Sequence, residues 1–325
     1  ILVTGAAGSI GSEIARQVLH YRPARVILLD QAESAIYGLE HELQSEYPQL
    51  AAKAECIIAD VRDRKRMAHI FEYRRPDIVF HAAAYKHVPL MEDNPYEAVG
   101  VNVLGTQVMA DLSVEYQVQK FVMVSTDKAV NPTNVMGATK RSAELYTQNL
   151  GARPGCKTQF ITTRFGNVLG SNGSVIPIFR KQIQKGGPIT ITHREITRYF
   201  MTIPEACNLV LEAGAMGKGG EIFVFDMGQS VKIYDLAKKM IKLSGLRLGK
   251  DIEIQEIGLR PGEKLYEELL ANQENTQATH HPKIMIAKTN GAEHINVLQA
   301  FKAIAESHAT CNNLSLVRSL KELVP

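Results

Sequence analysis

Eight residues at the start of the chain, Thr4-Gly5-Ala6-Ala7-Gly8-Ser9-Ile10-Gly11, restrict its fold more than any other stretch. They follow an apolar run, Ile1-Leu2-Val3, that reads as a buried strand. They open a segment with Ile10, Ile14 and Val18 at helical spacing. Glycines at 5, 8 and 11 permit a tight turn, close approach of the backbone to a pyrophosphate, and close packing of helix on strand. The helix N-terminus then stabilises the phosphate charge. A strand, turn and helix of this kind predict a parallel sheet covered by helices on both faces, because parallel strands need crossover connections.

The rest of the first half keeps that rhythm. Strands are expected at Ile1–Thr4, Arg25–Asp30, Glu55–Ala59, Asp77–His81, Lys120–Ser125 and Gln159–Arg164, with helical patterns between them such as Met67, Ile70 and Phe71. After about Asn167 the alternation stops. Turns rich in Gly and Pro then mix with helices near Pro204–Gly214 and Ile233–Ser244, and Leu316, Leu320 and Leu323 form a stripe read as core or interface. The expected fold is α/β: a doubly wound parallel sheet with a smaller mixed α/β region. Residues 1–166 are read as the dinucleotide-binding domain. Residues 167–325 are read mainly as the substrate-binding region, with some segments returning to the first domain.

Asp30 ends the second strand, about 20 residues beyond the glycine turn, where a carboxylate accepts the ribose hydroxyls of NAD and repels the 2′-phosphate of NADP. A helix N-cap is its structural alternative. With a formal charge of +3, the chain gives no reason to expect nucleic acid as a partner. Cys56, Cys156, Cys207 and Cys311 form no Cys-x-x-Cys pair, which argues against a zinc site or disulfide framework and fits a reducing cytoplasm. No metal is expected. No apolar run approaches the roughly 20 residues that span a bilayer, so no membrane contact is expected of this segment. Its abrupt start within a core strand reads as a piece of a longer chain.

Ser125-Thr126-Asp127-Lys128 closes the fifth strand, and Met136-x-x-x-Lys140 follows on a helix. The four-residue spacing puts Met136 and Lys140 on one helix face. An Asp-Lys pair on a loop is usually solvated and a helical Met usually fills a gap. Their place at the carboxyl edge of a parallel sheet, where ligands bind, favours chemistry instead. The glycine spacing and these residues together resemble the extended short-chain dehydrogenase/reductase family, which has a Rossmann-type fold, with the usual catalytic Tyr replaced by Met136. That resemblance implies cofactor contacts from Gly5, Gly8, Ser9, Ile10, Gly11, Asp30, Gln31 and Ser125. It implies others from Asp60 and Val61 at the adenine, from Ala82, Ala83 and Ala84 where the cofactor lies close, and from Phe165. Asn102 would brace the site, and Lys140 would bond the nicotinamide ribose. The positive charge of Lys140, together with that of the oxidised nicotinamide, is expected to lower the pKa of Lys128 and favour a neutral amine there.

Three stretches, 125–140, 164–174 and 259–267, further resemble the UDP-N-acetylglucosamine 4,6-dehydratases of polysaccharide biosynthesis. Methionine at position 136 is similar to the longer, membrane-anchored, C5-retaining form of that group. The resemblance implies an NAD-dependent lyase acting on a UDP-sugar, cytoplasmic, homo-oligomeric, and anchored to the inner membrane through the missing part. Thr126 would assist at the C4 hydroxyl, Asp127 would protonate the departing C6 hydroxyl, and Lys128 would take the C5 proton. Lys86, Asn167, Ser174 and Val175 would line the nucleotide-sugar site, with Arg198 and Arg260 on the diphosphate and Glu263 at the uridine ribose. The readings left open are a C5-inverting dehydratase, a C4-epimerase, and an NAD-sensing module that has lost its Tyr.

Overall fold

Val26, Ile27, Leu28 and Leu29 are all buried, as a strand covered on both faces requires. In the computed structural model, which describes residues 1–268, 276–287 and 296–324, this run forms β2 (Val26–Asp30). It lies beside β1 (Leu2–Thr4), with β3 (Ala54–Ile58), β4 (Ile78–His81), β5 (Lys120–Val124) and β6 (Gln159–Arg164) completing the parallel core. The order across the sheet is β3-β2-β1-β4-β5-β6. The chain winds outward from β1 in one direction and then crosses to β4 to wind in the other. That reversal opens a crevice at the carboxyl ends of β1 and β4. Each strand lies within a residue of its predicted position at either end. β3 sits one residue early, and Ala59 N–H continues its ladder to Asp30 O at 3.0 Å.

Beyond β6 the chain returns to this sheet. Ile222–Phe225 pairs parallel with β6, Ile284–Ala287 pairs antiparallel with Ile222–Phe225, and Thr276–Ala278 forms the outer edge. Two apolar layers, one on each face, fill the space between sheet and helices. A separate apolar cluster forms around Phe179, Ile189, Ile191 and Ile241, contributed by the helices Val175–Gln184 and Ile233–Leu243 and the strand Ile189–Ile191. This second body faces the carboxyl edge of the sheet across a cleft. Leu316, Leu320 and Leu323 are buried in the helix Asn313–Leu323, which packs on the helix Val135–Gly151. None of the described helices is long and apolar enough to cross a membrane.

Candidate active site

The glycine turn is shaped by close backbone approach. Gly5 has φ +64°, and a Cβ there would lie 2.6 Å from the Ala83 nitrogen. A Cβ on Gly11 would overlap the Gly5 carbonyl oxygen, so only glycine allows helix α1 (Ser9–His20) to start against the strand. Gly8 is the N-cap of α1, and no side chain caps that end. Its first N–H groups are therefore free for an anion. The Asp30 carboxylate accepts from Ala7 N (3.0 Å) and Ala32 N (2.9 Å), which fixes the turn relative to β2. This uncapped, Cβ-free cradle fits the pyrophosphate of a dinucleotide.

The turn opens into a cleft of about 540 Å³ at the switch point. Gly5, Gly8, Ser9, Ile10, Gly11, Ala82, Ala84 and Phe165 line it, as do Ser125, Thr126, Lys128, Met136 and Lys140. From the substrate side come Lys86, Asn167, Ser174, Val175, Arg198, Arg260 and Glu263. Seven of the predicted residues do not line it: Asp30, Gln31, Asp60, Val61, Ala83, Asn102 and Asp127. Asp60 is turned away, its carboxylate accepting from Arg62 N and Arg62 Nε at 2.9 Å each. Val61 is buried, with its Cγ2 2.8 Å from where a Cβ on Gly105 would sit. Gln31 reaches the cleft wall indirectly, donating to Tyr85 Oη at 3.0 Å.

A buried hydrogen-bond chain ties the cofactor end to the helix that carries Lys140. Asn102 lies in a π-helical turn, Gly100–Gly105, and donates to Tyr85 O (2.9 Å) and Thr139 Oγ1 (3.0 Å). Thr106 Oγ1 donates to Asn102 O, so it must accept from His81 Nε2–H at 3.0 Å. His81 Nδ1 then accepts from Thr4 Oγ1 at 2.8 Å. Burial, reinforced by the Lys140 charge, pushes His81 down to about 3, so it is a neutral brace. Neither the His81 bonds nor the Tyr85 contact was legible in the motifs.

The chemical end is held as an extension of the sheet ladder. Ser125 N donates to Thr163 O (2.7 Å) and Asp127 N to Phe165 O (3.1 Å). Ser125 Oγ gives its proton to Glu144 Oε1 at 2.6 Å. Glu144 is fully buried and paired with Arg164, which accounts for one missed group beneath the site. Asn134 Oδ1 caps the helix Val135–Gly151 through Gly137 N–H (2.7 Å). A Cβ on Gly137 would overlap the Lys128 carbonyl oxygen, so this glycine brings the helix against the Lys128 loop. Lys140 lines the cleft, and burial, only partly offset by Glu144, pulls its amine down to about 8.

Lys128 behaves differently from expectation. Its amine donates to Asp127 Oδ1 (3.0 Å) and Asn167 Oδ1 (3.4 Å) and lies 3.4 Å from Glu267 Oε1. Burial favours the neutral amine, but the Asp127 and Glu267 carboxylates outweigh it and hold Lys128 above its ordinary value. The cation that acts against it is Arg198. Lys140 is not among the charges that govern Lys128, and that part of the sequence reading is corrected. Asp127 is also placed deeper than expected, with its side chain fully enclosed. Its Oδ1 accepts from Thr126 Oγ1 at 2.8 Å, and its Oδ2 has no hydrogen-bond partner among the described residues.

At the far end of the cleft, Arg198 is paired with Glu263 Oε1 at 3.2 Å and donates to Thr197 O at 2.7 Å. Glu263 Oε1 also accepts from Thr192 Oγ1 (3.3 Å), and its Oε2 accepts from Arg260 N (3.3 Å). The Arg260 guanidinium itself makes no hydrogen bond or ion pair among the described residues and is exposed. Ser174 starts the helix Val175–Gln184, and its buried Oγ has no partner among the described residues. A loop strap crosses the cleft mouth: Asn172 N donates to Ser9 Oγ (3.1 Å) and Lys86 Nζ to Ser171 Oγ (3.3 Å).

The sequence profile of the polysaccharide biosynthesis protein family matches residues 1–289. The chain belongs to that family. It is 55% identical over 290 residues to the capsular polysaccharide biosynthesis protein CapD of Staphylococcus aureus, covering 89% of this chain and 48% of that protein. It thus spans about half the length of that relative. A UDP-N-acetylglucosamine 4,6-dehydratase (inverting) of Campylobacter jejuni is 36% identical over 281 residues, covering 85% of this chain and 78% of that enzyme. The crystal structure of Pen from Bacillus thuringiensis superposes with a TM-score of 0.81 at 35% identity, covering 89% of each chain.

Proposed function

We propose that the chain is the catalytic part of an NAD-dependent nucleotide-sugar 4,6-dehydratase acting in the synthesis of a bacterial surface polysaccharide. UDP-N-acetylglucosamine is the proposed substrate. The observation that carries this reading is one continuous cleft. It joins an uncapped glycine turn, the set Thr126, Lys128, Met136 and Lys140, and the cations Arg198 and Arg260. Residues 1–166 are proposed to hold the cofactor, and the later region mainly the nucleotide sugar. The glycine turn would hold the pyrophosphate, Asp30 a ribose, and Lys140 the nicotinamide ribose. NAD, when bound, supplies reversible hydride acceptance: from sugar C4, with return to C6.

The residues supply the proton chemistry. Met136 has no proton to exchange, so acid-base work falls to the preceding loop. Lys128 donates a hydrogen bond to Asp127 Oδ1, so a proton can pass between them. Moving the shared proton from Lys128 to Asp127 leaves a free amine and a protonated carboxyl. The amine can then take the C5 proton of a 4-keto sugar. The Asp127 proton leaves with the C6 hydroxyl as water, relayed by Thr126, which bonds Asp127 and lines the cleft. Lys128 returns its proton to C5, and the proton released from the C4 hydroxyl replaces the one carried off in water. Arg260, free of protein partners among the described residues, is suited to the diphosphate, since a guanidinium matches phosphate oxygens in a bidentate fork.

With no tyrosine at position 136, protons enter and leave from the Lys128 side alone. The expected product is the C5-retained UDP-2-acetamido-2,6-dideoxy-D-xylo-4-hexulose. The C5-inverting outcome is the second reading, favoured by the relative of that activity. Incubation with UDP-N-acetylglucosamine and NAD, followed by NMR, tests both. A D-xylo 4-keto product supports retention, an L-arabino product supports inversion, and absence of any 4-keto sugar rejects the dehydratase.

A further inference from the structure

Glu267 lies outside the cleft, yet two of the cleft's cations meet on it. Its side chain is 3% exposed. One oxygen, Oε1, lies 3.4 Å from Lys128 Nζ and 3.6 Å from Arg198 Nε. The other oxygen is enclosed with no hydrogen-bond partner among the described residues. The backbone fixes this placement: Leu265 O accepts from Thr197 N (3.2 Å) and Arg198 Nη1 (3.4 Å), stitching the segment to the strand Thr197–Arg198. A buried carboxylate with half its capacity unused destabilises the fold unless its charge is needed.

We infer that Glu267 is a positioning residue for Lys128, holding the amine at the cleft wall and making its charge depend on where Arg198 sits. This rests on the reading of Lys128 as the C5 proton acceptor. Four charged groups set the state of Lys128. Asp127, on its own loop, and Glu267, from the later segment, favour the ammonium. Arg198 opposes it, and Glu263 partly neutralises Arg198. The Asn167 amide oxygen and the Thr126 hydroxyl complete the surroundings without net charge. Because Arg198 and Lys128 share one oxygen, an anion that draws Arg198 away leaves Glu267 wholly to Lys128.

Competitive acetylation of Lys128, followed by mass spectrometry across pH with NAD present, reads its protonation without any substrate. E267Q should move the labelling midpoint down by about one unit or more, the size of an opposite charge at this range. R198Q should move it up, and E267D should retain most of the wild-type value. An unmoved midpoint in E267Q, or a shift of the same sign in E267Q and R198Q, overturns the inference. Should E267Q fail to fold, R198Q decides it: an upward shift supports the inference, and an unmoved or lowered midpoint overturns it. Turnover of UDP-N-acetylglucosamine separates the two readings. If wild-type enzyme makes no 4-keto sugar while the midpoints move as stated, the dehydratase reading falls and the role of Glu267 stands. If wild-type turns over and the midpoints do not move, only Glu267 is excluded.

Discussion

Lys140 should make the cofactor-free fold less stable. Its amine is pulled from the usual 10.5 to about 8, chiefly by burial. At about 1.36 kcal/mol per unit, that depression corresponds to roughly 3 kcal/mol. Below pH 8 the amine is charged in both folded and unfolded chains, and the fold carries the full cost of burying it. Between pH 8 and 10.5 the folded amine loses its proton first and the cost fades. Above 10.5 both are neutral. Lys140→Met keeps the length of the side chain and removes the charge, so it should stabilise the NAD-free protein by up to about 3 kcal/mol at pH 7. For 325 residues, at about 2 cal/mol/K of unfolding entropy per residue, this is about 4 °C. Thermal melts of wild type and Lys140→Met at pH 7 and pH 10 measure it. The gain should be large at pH 7 and small at pH 10, while NAD should stabilise the variant less than wild type. A variant that melts lower at pH 7, or gains equally at both pH values, would refute the argument.

Three further outcomes are expected. NAD should bind about tenfold or more tightly than NADP if the Asp30 carboxylate takes the ribose role proposed for it; equal affinities in a titration would remove that role. Gly11→Ala forces a methyl into the Gly5 carbonyl and should cost about 1–3 kcal/mol in urea unfolding, together with NAD affinity. Met136→Leu should keep dehydratase activity, whereas Asp127→Asn should lower it by about a hundredfold or more with NAD still bound. The reverse pattern in these two variants would overturn the assignment of the acid-base chemistry to Asp127 and its loop.

The parts of this molecule legible in the sequence are those fixed by local rules. A glycine turn between strand and helix, apolar runs of strand length, and Asp30 at a strand end all report on neighbours within a few residues. The six strands β1–β6 and the cleft position of Thr126, Lys128 and Lys140 follow from them. What escaped is non-local. Glu144 reaches Ser125 and Arg164 from another element, and Glu267 reaches Lys128 from a distant loop. Lys128 was misjudged for that reason. The cation counted against it, Lys140, belongs to the adjoining motif, whereas the carboxylate that helps keep it charged comes from far along the chain.

Methionine at position 136 is best understood through its neighbour. Gly137 has no side chain to hold the helix off the loop, and the Lys128 carbonyl occupies the space a Cβ would need. The same residue's N–H is taken by the Asn134 cap, which fixes the start of the helix. Lys128 and Met136 both line the cleft, and Lys128 is bonded to Asp127, which does not. On the proposed reading, a proton-bearing side chain at position 136 is not needed, because the backbone contact at Gly137 already seats the helix against the loop that carries Lys128. The buried thioether fills apolar volume, while the charge of the Lys128 amine is governed by Asp127, Glu267 and Arg198. The proposed passage of proton transfer to the loop therefore depends on Gly137, the residue that seats the helix on that loop.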